Sequence, residues 1–271
     1  MPNSSNKVAI VTGAGSGIGE ATAKLMAENG FKVYGTSRKG SQGRTGDGFE
    51  MLSLDVTEEK SIEALIAEVL QREGRIDVLV NNAGFGLAGG AEEASTDQLH
   101  SVFETNFFGC VKMIQAVLPQ MRKQSSGRII NISSIFGEVP APFMAIYGAS
   151  KHAIEGYSES LDHEIRSFNI RSILVQPAHT KSNFDKNTAT AENRIPIYDK
   201  GRKALSILVA NDKYADRVET VAATVLKAAT SVRPQVRYAG SPNASRILSF
   251  RRFAPVLVFE TILRNAMKLD A

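Results

Sequence analysis

A doubly wound α/β fold is predicted from three observations. Short apolar, β-branched runs alternate with longer stretches of helical periodicity along most of the chain. That alternation implies a parallel sheet covered by helices on both faces. The first run passes through a glycine cluster straight into a helical pattern, an arrangement that places a ligand at the carboxyl ends of the strands. Finally, 271 residues, 43% of them hydrophobic and 22% charged, suit one large α/β domain with a buried core. Residues 1–271 therefore read as a single domain. Its core spans 7–240, a helical lid about 183–213 and a C-terminal helical extension about 241–271.

The elements follow in order. Lys7-Val8-Ala9-Ile10-Val11-Thr12 reads as a buried strand. It runs into Gly13-Ala14-Gly15-Ser16-Gly17-Ile18-Gly19 and then a helix over 18–29 carrying Ala21, Ala23, Leu25, Met26 and Ala27. Strand, glycine turn and helix together suit a dinucleotide pyrophosphate. The glycines let the backbone approach the phosphates, and the helix start offers free N–H groups and positive potential. Further strands are expected at 31–36, 50–54, 76–81, 128–133, 171–176 and 235–239. Helices are expected at 58–73, 96–122, 145–167 and 215–230. The glycine-rich stretch 40–48 reads as a surface connection, and no internal repeat is visible.

Tyr147 and Lys151 are the most informative pair. At i, i+4 on a helix they share one face. An ammonium beside a phenol favours the phenolate, so Lys151 is expected to lower the tyrosine pKa from its usual value of about 10. A tyrosine so shifted exchanges a proton with an alcohol or ketone near neutral pH. Alone, the pair is equally a half-buried Tyr beside an extended Lys; the glycine turn upstream gives it meaning.

Together the two features resemble the compact branch of the short-chain dehydrogenase/reductase family. The pattern is Thr12-Gly13-x-x-x-Gly17-x-Gly19, then Asp55, Asn81-Asn82-Ala83-Gly84, Asn106, Ser133-Ser134, Tyr147/Lys151 and Pro177-Ala178-His179-Thr180-Lys181-Ser182. The resemblance covers about residues 7–240 and implies a Rossmann fold and hydride transfer between a nicotinamide and a carbonyl or alcohol carbon. It implies catalytic roles for Asn106, Ser134, Tyr147 and Lys151. Tyr147 would carry the proton and Ser134 would steady the substrate oxygen. Lys151 would also hold the nicotinamide ribose. Asn106 would distort its helix and free a carbonyl for a water that completes a proton relay; unaided, it reads only as a poor helix residue. Ser134 is preferred to Ser133 because it lies thirteen positions before Tyr147, the family offset, and because adjacent strand residues face opposite sides.

The resemblance also implies a cofactor site of Gly13, Gly15, Ser16, Gly17, Ile18, Gly19, Ser37, Arg38, Asp55, Val56, Asn82, Ala83, Gly84, Tyr147, Lys151, Pro177, Thr180 and Ser182. An acid at the end of the second strand would bind the ribose hydroxyls of NAD and repel a 2′-phosphate. Ser37 stands there instead, and Arg38 adds donors suited to phosphate, so NADP(H) is expected. Asp55 would face the adenine; its plainer reading is a helix-start signal. Departing from the family's usual Pro-Gly, Ala178 follows Pro177, and a backbone change there is expected. The Thr180 backbone and the Ser182 hydroxyl would hold the carboxamide, and His179 reads as an incidental loop residue.

Composition narrows partners. A net charge of +4 without basic-aromatic interleaving gives no reason to expect nucleic acid. The single cysteine, Cys110, reads as a small apolar filler and suits a reducing compartment; the four histidines show no metal-ligand spacing, so no metal is expected. The polar N-terminus has no signal-like apolar core and no run spans a bilayer, so a cytoplasmic protein is expected. A homo-oligomer, dimer or tetramer, is also expected.

Val139, Pro140, Pro142, Phe143 and Met144 precede the catalytic helix and suit an apolar pocket wall. The segment from Ser134 to Gly156 looks most like hydroxysteroid and retinol dehydrogenases, which implies a hydrophobic ketone, aldehyde or alcohol as the small-molecule substrate. In the tail, apolar residues from Ile247 to Met267 accompany Arg246, Arg251, Arg252, Arg264 and Lys268. Capping the core, covering the pocket or joining subunits is the preferred reading; weak membrane-surface contact is the other. Three function classes follow: an active oxidoreductase, favoured by the complete Asn-Ser-Tyr-Lys set; an NADPH-binding redox sensor with little turnover; and a peripheral membrane protein dominated by its tail.

Overall fold

Every residue of the first strand, β1 (Val8–Val11), is buried, as a strand covered on both faces requires. Its side chains alternate. Val8 and Ile10 join one apolar cluster with Leu79, Met113, Val117 and Ile129, while Ala9 and Val11 join another with Ala23, Met26, Val80, Ile173, Val221 and Val225. The computed structural model describes residues 7–39, 48–182, 184–210, 215–267 and 269. Residues 1–6, the glycine-rich stretch 40–47 and Lys268, all singled out above, lie outside the described residues.

The chain continues with α1 (Gly17–Glu28), β2 (Lys32–Ser37), β3 (Glu50–Ser53), α2 (Glu59–Glu73), β4 (Val78–Asn81), β5 (Leu87–Ala88) and α3 (Thr96–Phe103). Next come α4 (Gly109–Gln124), β6 (Gly127–Ile132), α5 (Ala145–Ile165), β7 (Ile170–Gln176), α6 (Phe184–Asn187), β8 (Ala189–Thr190), α7 (Asp199–Val209), α8 (Val218–Thr230), β9 (Arg237–Ala239), α9 (Pro242–Phe253) and α10 (Val256–Ala266). The main sheet has seven parallel strands in the order β3-β2-β1-β4-β6-β7-β9. All seven expected strands are present. The order reverses between β1 and β4, and the crevice beyond their carboxyl ends is the natural ligand site of such a sheet.

Two features depart from the expected elements. The helix expected over 96–122 is interrupted by a π-helical turn at Glu104–Phe108, which separates α3 from α4. A π turn widens the helix and places Asn106, fully buried, where its side chain reaches a neighbouring backbone. The short parallel pair of β5 and β8 was not expected, because two residues per strand carry no periodicity to read.

The segment after β7 is fastened by a buried carboxylate. Glu93 accepts from the Gly90 and Ile195 N–H groups and pairs with Arg202 of α7. Phe143, with φ of 62°, lays its ring against Gly201. A Cβ at Gly201 would fall 2.0 Å from Phe143 Cζ. Gly201→Ala is therefore expected to cost about 1–3 kcal/mol, the penalty of overpacking. Urea unfolding checks this, and an unchanged midpoint would contradict the packing described.

Candidate active site

The glycine turn between β1 and α1 is locked from beneath. Thr12 Oγ1 accepts from the Asn82 and Ala83 N–H groups, both at 2.9 Å. Asn82 Nδ2 donates to the carbonyls of Thr12 (2.9 Å) and Gly13 (3.1 Å). Gly13 and Gly17 have φ of +66° and +61°, a region that glycine enters without strain. At Gly19 the need is space, since an added Cβ would lie 2.4 Å from both Asn82 Nδ2 and the Gly13 oxygen. Gly15 differs: its added Cβ would meet only Ser37 Cβ, at 3.6 Å. Ser16 precedes α1 in extended conformation and makes no side-chain cap, so the helix's first N–H groups are not taken up by it. An uncapped helix start beneath an open glycine turn fits a pyrophosphate.

At the neighbouring strand ends, Ser37 closes β2 and Arg38 follows it. Asp55 accepts from the Thr57 N–H (2.9 Å) and hydroxyl (2.7 Å). The Thr57 N–H holds its carboxyl below the usual range against the effect of burial, with help from the Thr57 hydroxyl and the Arg38 charge. Asp55 thus closes a turn onto Thr57, and the cap position of α2 falls on Glu58 instead. Val56 packs beneath Gly109 at the start of α4.

Asn106 is a brace. Its Oδ1 accepts from the Phe85 N–H and its Nδ2 donates to the Phe85 carbonyl, both at 3.0 Å. Nδ2 also donates to Ser150 Oγ at 3.1 Å. This ties the loop after β4 to α5, one residue before Lys151. Gly84 lies so close that an added Cβ would fall 2.9 Å from Asn106 Oδ1.

Tyr147 and Lys151 occupy one face of α5, both nearly buried. Lys151 Nζ donates to the Ile132 carbonyl at 2.9 Å and lies 5.7 Å from the centre of the tyrosine ring. Tyr147 sits between Phe184 and Phe136, with ring centroids 5.5 and 6.5 Å away. Ser134 starts the turn after β6, its Oγ accepting from the Phe136 N–H at 3.2 Å. The expected lowering of the phenol pKa by Lys151 is overturned for the protein alone. Burial pushes Tyr147 up to about 12, partly offset by a hydrogen bond with Ser134, and burial pushes the Lys151 ammonium down. Two desolvated groups thus disfavour charge on both, and the ammonium is oriented toward a carbonyl.

Ser134, Tyr147 and Lys151 open into a cavity of about 550 Å³. Of the other expected site residues, Ile18, Asn82, Gly84, Pro177, Thr180 and Ser182 also line it. Pro140, Pro142 and Met144 do so as expected, but Val139 is buried and Phe143 turns toward α7, so neither lines the cavity. Ala178 has no positive φ, so replacing glycine there strains nothing. Thr180 is held by a bridge to Asp216, and Ser182 Oγ accepts from the Phe184 N–H at 3.2 Å beside Gly17. Sequence reasoning missed Phe136 and Phe184 around the phenol. α7, α9 and α10 wall the cavity through Leu205, Leu208, Ile247, Leu263 and Met267. Cys110 is buried, with its thiol pushed up to about 11 by burial, as suits a filler. Among the described residues no group of acids, histidines and cysteine could hold a metal.

A crevice built to take a dinucleotide beside a phenol, a hydroxyl and an ammonium defines an oxidoreductase. A family model for short chain dehydrogenase matches residues 7–193, and the chain belongs to that family. It is 44% identical over 188 residues to a 3-ketodihydrosphingosine reductase of Bacteroides thetaiotaomicron, covering 69% of this chain and 68% of that protein. A short-chain dehydrogenase from Streptomyces avermitilis superposes with a TM-score of 0.84 at 33% identity over 97% of this chain and 99% of that one. A second solved relative, from Burkholderia phymatum in complex with NAD, gives a TM-score of 0.79 at 25% identity over 91% of this chain and 93% of that one.

Proposed function

We propose that this protein is an NADP(H)-dependent oxidoreductase acting on the carbonyl or alcohol carbon of a hydrophobic, lipid-like substrate. The observation that carries this reading is the placement of Ser134, Tyr147 and Lys151 in an apolar cavity walled by α7, α9 and α10. The likeness to a 3-ketodihydrosphingosine reductase supports an aliphatic ketone. When bound, the nicotinamide would supply or accept the hydride.

The chain's own residues divide the remaining work. The glycine turn and the start of α1 would hold the pyrophosphate. Gly84, Thr180 and Ser182, together with Lys151, would hold the nicotinamide end. Tyr147 donates its phenolic proton to the substrate oxygen in reduction and takes it back in oxidation. Ser134 donates a hydrogen bond to the same oxygen as charge develops there. Phe136 and Phe184 position the phenol and limit water around it. Asn106 positions the helix that bears Tyr147 and Lys151 through its bond to Ser150. A homo-oligomer belongs to this reading through the family alone, since all these residues come from one chain and the site needs no second copy.

NADP(H) preference rests on Ser37 and Arg38, with no acid closing β2. Arg38→Ala is expected to weaken NADPH about 10-fold to 100-fold, the worth of a hydrogen bond to a charged group, and to leave NADH nearly unchanged. Equal losses for both nucleotides would remove Arg38 from the 2′-phosphate. The proposal as a whole is tested by a panel of long-chain ketones, steroids and retinoids assayed with NADPH and NADH. Turnover of apolar carbonyls with NADPH is expected; tight nucleotide binding without turnover on any of them would favour a sensor.

A further inference from the structure

The C-terminal helices carry two sets of apolar residues, and only one meets the body of the protein. Phe259, Leu263 and Met267 follow at intervals of four and so share one face. Phe259 and Met267 are buried, and Leu263 and Met267 line the catalytic cavity with Ile247 of α9. The other set faces outward. Phe250, Phe253, Val256, Leu257, Val258 and Ile262 are all exposed, Phe253 and Leu257 by 79% and 77%. Large apolar side chains left exposed in such number on two consecutive helices point to an interaction site.

The charges around it indicate what covers it. Residues 242–267 contain four arginines against one acid, Glu260; Arg246 lines the cavity, which leaves Arg251, Arg252 and Arg264 for the rest of the two helices. The Arg252 guanidinium lies 5.7 Å from the ring of Phe253 and that of Arg251 lies 4.8 Å from Phe259. On the exposed face Arg252 is thus held along the ring of Phe253, the arrangement of an interfacial helix whose polar heads reach the lipid phosphates. A two-fold contact with a second copy would instead set this cationic face against itself. Among the described residues no helix is long and apolar enough to cross a membrane. The amphipathic α10 is suited to lie in the surface plane, with Phe250 and Phe253 of α9 beside it.

We infer that the outer face of α9 and α10 docks on an anionic phospholipid surface. The inner faces of the same two helices wall the catalytic cavity, so docking sets that cavity directly behind the lipid headgroups. The inference concerns binding alone and stands whether or not the substrate reading holds.

The test uses the full chain with sedimenting vesicles of phosphatidylcholine, with or without phosphatidylglycerol. The protein is expected to sediment with the anionic vesicles. In a Phe253→Asp/Leu257→Asp double variant, partitioning is expected to fall at least about 10-fold. It is expected to fall also in about 1 M salt, where the Debye length shrinks to about 3 Å. Thermal unfolding checks that the variant is folded, independently of turnover. Should it not fold, Arg252→Glu is expected to weaken anionic-vesicle binding roughly fivefold or more. Absence of wild-type sedimentation, or equal sedimentation of wild type and variants, overturns the inference. Light scattering that shows a wild-type dimer become a monomer in the double variant, with no vesicle binding by either, overturns it in favour of a subunit interface.

Discussion

Carbonyl reduction by a Tyr147→Phe variant is expected to fall about 100-fold to 10,000-fold, the usual contribution of a positioned acid. Nucleotide affinity is expected to change little, because the ring and its contacts with Phe136 and Phe184 remain. The pH profile gives the prediction a second readout. Burial holds the phenol protonated up to about 12, so the acid needed for reduction is fully present through neutral pH. Reduction should stay flat there and decline only under strongly alkaline conditions. Oxidation needs the proton removed and should rise steadily as pH increases. An oxidation rate that peaks near neutrality would point to another base. An unchanged reduction rate in the Phe variant would remove Tyr147 as the proton donor.

Gly19→Ala is the second large effect. Its Cβ would lie 2.4 Å from the Gly13 oxygen and from Asn82 Nδ2, so the amide must leave its bonds to Thr12 and Gly13. Overpacking of this kind costs about 1–3 kcal/mol. For a chain of this size that lowers the melting temperature by roughly 2 to 5 °C. Because the displaced atoms shape the glycine turn, nucleotide affinity should fall as well. Thermal unfolding with and without NADPH separates the two effects. Gly15→Ala provides the contrast: its Cβ meets protein only at Ser37, so stability should be retained while any loss shows in nucleotide binding. Equal behaviour of the two variants would contradict the assignment of space at these glycines.

Much of this architecture is legible in the sequence, for identifiable reasons. The seven strands could be read because each is a short run bounded by turn residues, and a fully buried strand such as Val8–Val11 must be apolar throughout. The glycine turn was legible because positive φ at Gly13 and Gly17 leaves little choice of residue. Asn106 was visible only through family resemblance. A helical pattern continues across 96–122, and nothing in it reveals that the backbone widens to let one amide reach Phe85. For the tail, covering the pocket was legible only as one of three roles, because Ile247, Leu263 and Met267 are distant in sequence from Tyr147 and only the tertiary course of α9 and α10 brings them together.

The electrostatics of the pair at 147 and 151 differ from what their spacing implies. Spacing alone shows that the two side chains share a helix face, which suggested a lowered phenol pKa. Burial of both groups outweighs that proximity, and the ammonium is turned toward the Ile132 carbonyl. Sequence spacing reports which groups are neighbours; desolvation depends on what covers them, and here that cover includes Phe184 from a segment far along the chain.

Isotope transfer tests the central claim most directly. NADPH deuterated at its transferable position is incubated with the protein and a long-chain aliphatic ketone, and the product alcohol is analysed by mass spectrometry. The account predicts deuterium at the carbinol carbon with the wild-type protein and a loss of product with Tyr147→Phe while nucleotide remains bound. Bound NADPH that passes no deuterium to any apolar carbonyl, or labelled product formed equally well without the phenol, would contradict it.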